Sequence, residues 1–194
     1  MAETYFEGET FRGLNFSGER FAGLTLVDCT FERCVFERCV LSRCTLTQCR
    51  FLSCRVTEPK LEYSQAKFLE LSDCALTNVN WALLLPSGGF GEPLEKLSGC
   101  RMKYNYFTNM DLRRFDFQGS ELSACLFGDC TLTEACFLGC GLTDTEFFRC
   151  GLEGADFREA VGYKVDVLTC GLKEARFTLP EAANLLSSLG IRLE

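Results

Sequence analysis

The sequence contains no histidine. This absence excludes the Ser-His-Asp and Cys-His nucleophile pairs, histidine metal sites and the commonest general base. Three glycine-containing motifs are missing as well: the phosphate-binding G-x-x-x-x-G-K-[ST], the dinucleotide-binding G-x-G-x-x-G and the nucleophile elbow G-x-S-x-G. The sequence therefore lacks the residues and motifs of the common catalytic sites, and we expect a protein that is not an enzyme.

Long apolar runs and excess positive charge are also absent. No run reaches the roughly 18 apolar residues of a membrane span, and the first ten residues, MAETYFEGET, lack the basic and then apolar pattern of a secretory signal. We therefore expect a cytoplasmic protein with no membrane partner. The 20 Lys and Arg against 27 Asp and Glu give a net charge of -7. That balance disfavours nucleic acid as a partner and suits a basic protein surface.

Cysteine, by contrast, is abundant and regularly spaced. Seven of the 14 cysteines share one five-residue register, namely Cys29, Cys34, Cys39, Cys44, Cys49, Cys54 and Cys74. A large apolar residue follows two positions after each, and these central residues recur every five positions from Phe6 to Trp81. A second series, one residue out of step, runs from Leu97 to Phe177. Neither a helix nor a plain strand has this period, so the chain is predicted to bend every five residues with both apolar positions inward.

The unit Cys125-Leu126-Phe127-Gly128-Asp129 resembles the repeat of the pentapeptide-repeat family. The resemblance covers residues 6–177 and implies an all-β solenoid, a right-handed quadrilateral parallel β-helix in which four repeats make one coil. The 16 and 17 central positions give 33 repeats, and thus predict about eight coils. We assign residues 1–177 to the β-helix and residues 178–194 to a C-terminal capping and dimerisation module.

Thirteen cysteines occupy the small inward position, and Cys136 alone departs from it. We interpret them as small hydrophobic residues. Two alternatives stay open, namely a bound metal ion and disulfide bonds between cysteines of successive coils. The x4 spacing between successive cysteines does not match the usual zinc or iron-sulfur patterns, which disfavours a metal. Cysteines one coil apart, such as Cys34 and Cys54, would stack within bridging distance of one another. We expect neither a metal nor any other cofactor.

Residues 82–96, ALLLPSGGFGEPLEK, interrupt the repeat. They are predicted to form a loop that leaves the solenoid and absorbs the one-residue change of register. Such a loop is either a tolerated excursion or a binding element. The apolar run 83–85 is expected to fold back onto the outer surface of the coils. The candidate binding residues of the loop are Leu83, Leu84, Leu85, Phe90 and Glu92.

The C-terminal residues predict a helix. Thr178 and Glu181 have the spacing of a capping box, Gly190 is placed as a C-terminal stop, and residues 191–193 are predicted to form a short strand. The leucines exceed what covering one coil requires, so the segment is either a plain cap or a cap that also packs on its twin in a homodimer. The predicted dimer interface comprises Leu179, Ala182, Leu185, Leu186, Leu189, Ile191 and Leu193.

Three segments narrow the resemblance: Asn80-Trp81, residues 162–166 and residues 175–186 look like parts of the albicidin-resistance and quinolone-resistance branch of the pentapeptide-repeat family. That branch implies a homodimer, an acidic rod of DNA-like dimensions, and interaction with DNA gyrase or topoisomerase IV. Gly162 replaces a large central residue, so one coil face is expected to be indented. The resemblance predicts a non-catalytic DNA mimic that protects the topoisomerase from a poisoning antibiotic. A general interaction scaffold with an unrelated partner is the alternative.

Acidic residues are concentrated between positions 121 and 159. Eight carboxylates face only two arginines there, which gives this segment a net charge of -6. We predict that they form an acidic face that binds the partner. Its residues are Glu121, Asp129, Glu134, Asp144, Glu146, Glu153, Asp156 and Glu159.

Overall fold

The backbone bends at nearly every fifth residue, two positions after the central apolar residue. The computed structural model, which describes residues 4–87 and 91–191, places most of these residues in the left-handed conformation. Gly8 has φ 68°, and the non-glycine residues Arg33 and Asp129 have φ 53° and 54°. A left-handed non-glycine residue costs roughly 1–2 kcal/mol, which hydrogen bonds to the adjacent coil offset. The Arg33 amide, for example, donates to the carbonyl of Leu52 at 2.9 Å.

Short parallel strands lie between these bends, and each stacks on its counterpart in the next coil. Phe11, Phe31 and Phe51 are register partners, and Leu71 follows them. The protein is a parallel β-solenoid of about eight coils. It divides into two compact units, Met1–Arg101 and Met102–Glu194. The C-terminal helix packs against Val161–Val165 within the second unit, and the predicted module boundary at residue 177 stays a prediction.

The first unit has four stacks of strands, which the chain visits in turn. The first stack comprises Tyr5–Glu7, Thr25–Val27, Thr45–Thr47 and Gln65–Lys67. The second comprises Thr10–Arg12, Thr30–Glu32, Arg50–Leu52, Leu69–Ser72 and Leu94–Ser98. The third comprises Asn15–Ser17, Val35–Glu37, Arg55–Thr57 and Ala75–Thr77. The fourth comprises Arg20–Ala22, Val40–Ser42 and Lys60–Glu62.

The second unit keeps the same plan with longer strands and with isolated bridges. Its strands are Arg101–Lys103, which contains the boundary between the units, Tyr106–Thr108, Glu121–Ser123, Leu126–Gly128, Gly141–Phe148, Asp156–Phe157, Val161–Val165 and Arg176–Phe177. Single bridges complete the two remaining sides, for example Asp111 to Thr131 and Asp116 to Cys136. Within residues 4–87 and 91–191, no helix is long and apolar enough to cross a membrane.

Two columns of stacked phenylalanines fill the core of the second unit. Phe107, Phe127 and Phe147 stack with ring centroids 4.5 and 4.8 Å apart. Phe117 and Phe137 begin the other column at 4.7 Å, and the two columns meet edge to face. These central residues are at most 1% exposed. The predicted inward direction of the central residues is therefore confirmed in this unit.

The core of the first unit is less completely filled. The stack that begins with Phe16 and Phe36, whose rings lie 5.6 Å apart, continues with the smaller Val56 and Leu76. A cavity of about 350 Å³ with an apolar lining remains along the interior of this unit. Trp81 and Leu84 line one part of it, and the central residues of the first coil line another.

The cysteines lie in the inward small position as predicted. All 14 are free thiols, and 12 of them are buried. Each buried thiol donates to a backbone carbonyl of the preceding coil, as Cys140 does to Phe117 at 3.0 Å. Burial raises the pKa of Cys49 and Cys125 to about 11 and that of Cys140 to about 12.

The insertion departs from its prediction. Its first residues form a 3₁₀ helix, Trp81–Leu84, in which the Asn80 side chain accepts a hydrogen bond from the Ala82 amide at 3.2 Å. Trp81 points into the interior of the first unit, as expected for a central residue, but Leu84 also packs there rather than onto the outer surface. The chain rejoins the solenoid at Leu94–Ser98, where a β-bulge at Glu95 absorbs the one-residue change of register.

The coil around Gly162 also differs from its prediction. Val165, rather than the predicted central residue Val167, lies opposite Phe147. Gly162 has φ 79°, and a Cβ atom there would lie 2.8 Å from the Cα atom of Thr143, so a larger residue is excluded. Tyr163 is buried instead and contacts the ring of Phe157 at a centroid distance of 5.5 Å. The aromatic ring occupies interior volume that a glycine leaves free, which corrects the expected indentation.

The predicted capping box does not form. The helix is a 3₁₀ helix, Glu181–Leu189, so Glu181 is its first residue rather than its third. Thr178 accepts a hydrogen bond from the Glu159 amide at 2.9 Å instead of capping the helix. Gly190 ends the helix in the left-handed conformation, as predicted. The predicted terminal strand 191–193 lies largely outside the described residues, and Ile191 is not in a strand.

Truncating a stacked phenylalanine should be costly. Phe127 is completely buried between two rings, so Phe127→Ala is expected to lower the free energy of unfolding by about 3–5 kcal/mol. Urea denaturation measures the loss. The matched control is Glu121→Gln, an exposed substitution expected to cost less than about 0.5 kcal/mol. Similar losses in the two variants would contradict the inward and outward assignment.

Alkaline pH should destabilise the fold. The pKa values of buried Cys49, Cys125 and Cys140 lie above the ordinary value of 9.0, so folding favours the neutral thiol. Their contribution is complete below about pH 9 and is lost as pH rises toward the folded values, by at most about 1.4 kcal/mol per pH unit for each thiol. Urea denaturation between pH 8 and 11 measures this fall. A Cys125→Ala variant should show a shallower fall, and an unchanged slope would refute the assignment.

Candidate functional site

The eight predicted acidic residues do not share one face. Glu121 belongs to the stack that contains Gly141, whereas Glu146 pairs with Leu126 in the next stack. Glu153 follows Gly151, which bridges to residues of a third stack, and Asp156 lies in the fourth. The register from coil to coil places two of the eight on each side of the second unit. The predicted acidic face is therefore corrected to a ring around this unit.

Cations from neighbouring coils neutralise three of the exposed carboxylates. Asp129 pairs with Arg149 at 2.7 Å, and Glu134 pairs with Arg114 at 2.8 Å. Asp144 pairs with Lys164 at 2.8 Å and raises the pKa of that lysine. In the first two pairs the members occupy the same position of successive coils, whereas a register shift places Lys164 opposite Glu146, so this lysine lies beside both carboxylates. Exposed pairs of this kind add little stability, but they reduce the negative charge that a partner would meet.

Asp156 is unavailable to a partner. Its side chain is 8% exposed and lies between two arginines, with Arg158 at 2.7 Å and Arg176 at 3.3 Å. The Arg158 guanidinium hydrogen-bonds this carboxylate and holds its pKa below the ordinary value. A carboxylate enclosed in this way ties the last coils together. We therefore remove Asp156 from the predicted binding residues and assign it a structural role.

Four carboxylates of the ring remain without a cation within 4.0 Å among the described residues. We call them the open carboxylates: Glu121, Glu146, Glu153 and Glu159. Three are exposed and Glu153 is half-buried, its carboxylate accepting a hydrogen bond from Thr133 at 3.4 Å. One open carboxylate lies on each side of the coil. The arrangement offers negative charge in every direction around the second unit.

The loop residues do not form a common surface. Leu83 is exposed, Leu85 is half-buried, and Leu84 is buried and unavailable to a partner. Glu92 is half-buried, and its backbone carbonyl accepts the Phe68 amide at 3.0 Å. Phe90 lies outside the described residues. Of the predicted loop contacts, Leu83 is the most accessible.

The predicted dimer interface is largely accessible. Leu179 is 82% exposed, Leu189 45% and Ile191 48%, and the exposed Leu168 lies close by because the amide of the preceding residue contacts Ser188. The remaining predicted members Ala182, Leu185 and Leu186 are half-buried. Leu193 lies outside the described residues. The C-terminal segment thus presents an apolar patch of large aliphatic side chains.

The described residues contain no group of three or more acidic or cysteine side chains that could hold a metal ion. The neutralising partners Arg114, Arg149 and Lys164 were missed by the sequence analysis. Counting one coil forward or back finds Arg114 and Arg149, because equivalent positions of successive coils lie side by side, whereas the place of Lys164 depends on the register shift in the strand Gly141–Phe148.

The family model of pentapeptide repeats matches residues 15–51 and 125–161, in eight copies. One matched segment lies in each unit of the solenoid. These two segments therefore carry pentapeptide repeats, in agreement with the five-residue register and the stacked coils. No curated protein matches the sequence significantly.

Solved structures with a similar fold are distant in sequence. One is a trypsin-treated form of QnrB1, a plasmid-mediated fluoroquinolone resistance protein, with 15% identity and a TM-score of 0.46 over 98% of this chain and 100% of that chain. Another is HetL, a pentapeptide repeat protein involved in heterocyst differentiation regulation in the cyanobacterium Nostoc, with 11% identity and a TM-score of 0.46 over 89% of this chain and 86% of that chain.

Proposed function

We propose that the protein is a non-catalytic DNA mimic that binds a type II topoisomerase, DNA gyrase or topoisomerase IV, and protects it from a poisoning antibiotic. The observation that carries the proposal is the ring of open carboxylates around the second unit. A topoisomerase holds DNA in a positively charged channel, and a ring is suited to such a channel because it presents negative charge to every wall.

The charge density supports this proposal. Coils spaced at ~4.8 Å place the four open carboxylates within ~10 Å of solenoid, or about one charge per 2.4 Å, against about one per 1.7 Å of axis in B-DNA. The two values are of the same order, although the protein carries its charge on side chains rather than on a backbone. A basic DNA channel would therefore attract this surface over distances up to about a Debye length, which is roughly 30 Å at 0.01 M salt.

Reversing the open carboxylates should weaken topoisomerase binding. The triple variant Glu121→Lys, Glu153→Lys and Glu159→Lys changes the net charge by +6, from -7 to -1, without touching an inward position. Affinity for purified gyrase at low salt is expected to fall at least tenfold, about 1.4 kcal/mol. The same variant should lose its protective effect in supercoiling and drug-stabilised cleavage assays.

A matched control distinguishes the effect of the position of the carboxylates from the effect of the protein's net charge. Changing Glu58, Glu70 and Glu95 of the first unit to lysine also alters the net charge by +6 at exposed positions outside the ring. This control should change the affinity less than about twofold. Equal losses in both triple variants would reject the ring as the binding surface. Wild-type protein without effect on gyrase or topoisomerase IV would leave the general scaffold as the function.

We further propose that the protein is a homodimer joined through the apolar patch of its C-terminal segment. Exposed clusters of large aliphatic residues are uncommon on monomeric proteins and mark contact surfaces. In a symmetric dimer the same patch serves both copies. Leu179 and Leu189 lie at its accessible part, so a charge placed there would be buried without a partner.

Replacing one leucine of the patch should dissociate the dimer. Leu189→Asp is expected to give a monomer, and light scattering at micromolar concentration measures the mass. Leu83→Asp is the matched control, because Leu83 is similarly exposed but lies in the first unit; it should leave the mass of the wild-type dimer unchanged. A monomeric wild-type protein, or a dimeric Leu189→Asp variant, would show that this patch does not join two copies.

A further inference from the structure

The interior cavity of the first unit is large and uniformly apolar. Its volume is about 350 Å³, and its lining is made of apolar side chains and two cysteines. No charged side chain of the described residues lines it. Water needs two to four polar partners to occupy a buried site, so a cavity with this lining does not hold ordered water well. Its size falls within the range of cavities that bind small molecules.

The inner walls of this cavity are accessible. The central residues Phe36, Leu41, Val56 and Leu61 are half-buried although they point inward, whereas Phe127 at an equivalent position of the second unit is fully buried. Their exposed surface therefore faces the cavity. The central residues of the first coil, Phe6, Phe11, Phe16 and Phe21, are half-buried and line the cavity as well. We identify this coil as the mouth.

The coil geometry keeps the cavity open. Each coil of the first unit is held to its neighbours by backbone hydrogen bonds in a fixed register, as Val35 is to Leu14 at 2.8 Å. The backbone cannot contract when a central residue becomes smaller, so a small residue such as Val56 leaves volume unfilled. An unfilled apolar cavity forfeits contacts for its lining atoms, and an apolar molecule restores them.

The repeat register assigns two carboxylates to the coil that forms the mouth, although neither side chain lines the cavity itself. Glu9 and Glu19 occupy, in the first coil, the small inward positions that hold Cys29 and Cys39 one coil further on. Both are exposed. Cys39 lines the cavity, and the negative charge of Glu19 adds to burial in raising the pKa of that thiol. A negatively charged group would be repelled at this end.

We propose that the first unit binds a single-chain hydrocarbon molecule, with its chain in the cavity and a neutral or positively charged end at the Glu9 and Glu19 mouth. The lining selects a hydrocarbon chain, and the mouth selects against an anionic end. This site is independent of the topoisomerase proposal, because the open carboxylates belong to the second unit.

The neutral fluorescent probe N-phenyl-1-naphthylamine tests the site on the full chain. Its emission should rise on binding and saturate at one probe per chain. Three ten-carbon competitors then test the mouth at pH 8 and low salt: 1-decanol, decyltrimethylammonium and decanoate. Decanol and decyltrimethylammonium are expected to displace the probe at concentrations at least tenfold lower than decanoate. Non-saturable probe binding, or equal displacement by all three, would overturn the proposal.

Filling the cavity should abolish binding. Val56→Phe extends the stack of Phe16 and Phe36 into the cavity, so it is expected to raise the melting temperature and to eliminate the saturable probe signal. Leu41→Phe fills the same cavity from the adjacent stack and is the second variant should the first not fold. A folded filled variant that binds the probe like the wild type would place the probe elsewhere and refute the site.

A variant of the mouth distinguishes the effect of the two carboxylate charges from the effect of the cavity volume. The double substitution Glu9→Gln and Glu19→Gln leaves the cavity unchanged and removes both negative charges. Probe affinity should stay within about twofold of the wild type, while decanoate should compete as well as decyltrimethylammonium. Unchanged discrimination against decanoate in this variant would contradict the role of the two carboxylates.

Discussion

The left-handed bend that closes each repeat controls where every side chain of the solenoid points. It occurs two residues after the central position, at residues as different as Gly8, Arg33 and Asp129. Because it recurs at this spacing, two positions of every five point inward and three face solvent. Four bends make a coil, and the amide at each bend bonds to the next coil. Local strain is thus offset by a ladder that only the stacked coils provide.

Because the dimensions of the coil are fixed, the volumes of the inward side chains determine how completely the interior is filled. In the second unit two phenylalanine columns fill the available space, and centroid spacings near that of the strands allow continuous stacking. In the first unit one column ends at Phe36, and Val56 beneath it leaves a cavity. Because this cavity is open at the first coil, an apolar occupant would add contacts for lining atoms that solvent otherwise reaches.

The same stacking determines the outer surface. A charged residue meets the residue one coil away, as Asp129 meets Arg149 and Asp144 meets Lys164. Ion pairs between successive coils therefore determine how much negative charge a partner meets. Counting acidic residues along the sequence overestimates that charge. Once the pairs and the enclosed Asp156 are set aside, one open carboxylate remains on each side of the second unit. A ring of this kind differs from a single acidic face, because it offers negative charge to a partner that surrounds it.

The spacing of apolar residues along the chain was sufficient to predict the five-residue period, the inward cysteines and phenylalanines and the one-residue change of register, while the four-sided coil followed from the family resemblance. It did not reveal that arginines and aspartates adopt the left-handed bend, since the ladder of the finished solenoid is what stabilises them there. Packing between coils was needed to place Leu84 inside the first unit and to put Tyr163 and Val165 in place of the expected centres around Gly162. The same packing makes Glu181 the first residue of the last helix, where a capping box cannot form. These outcomes depend on contacts between successive coils, and the residues that make such contacts are far apart in the chain.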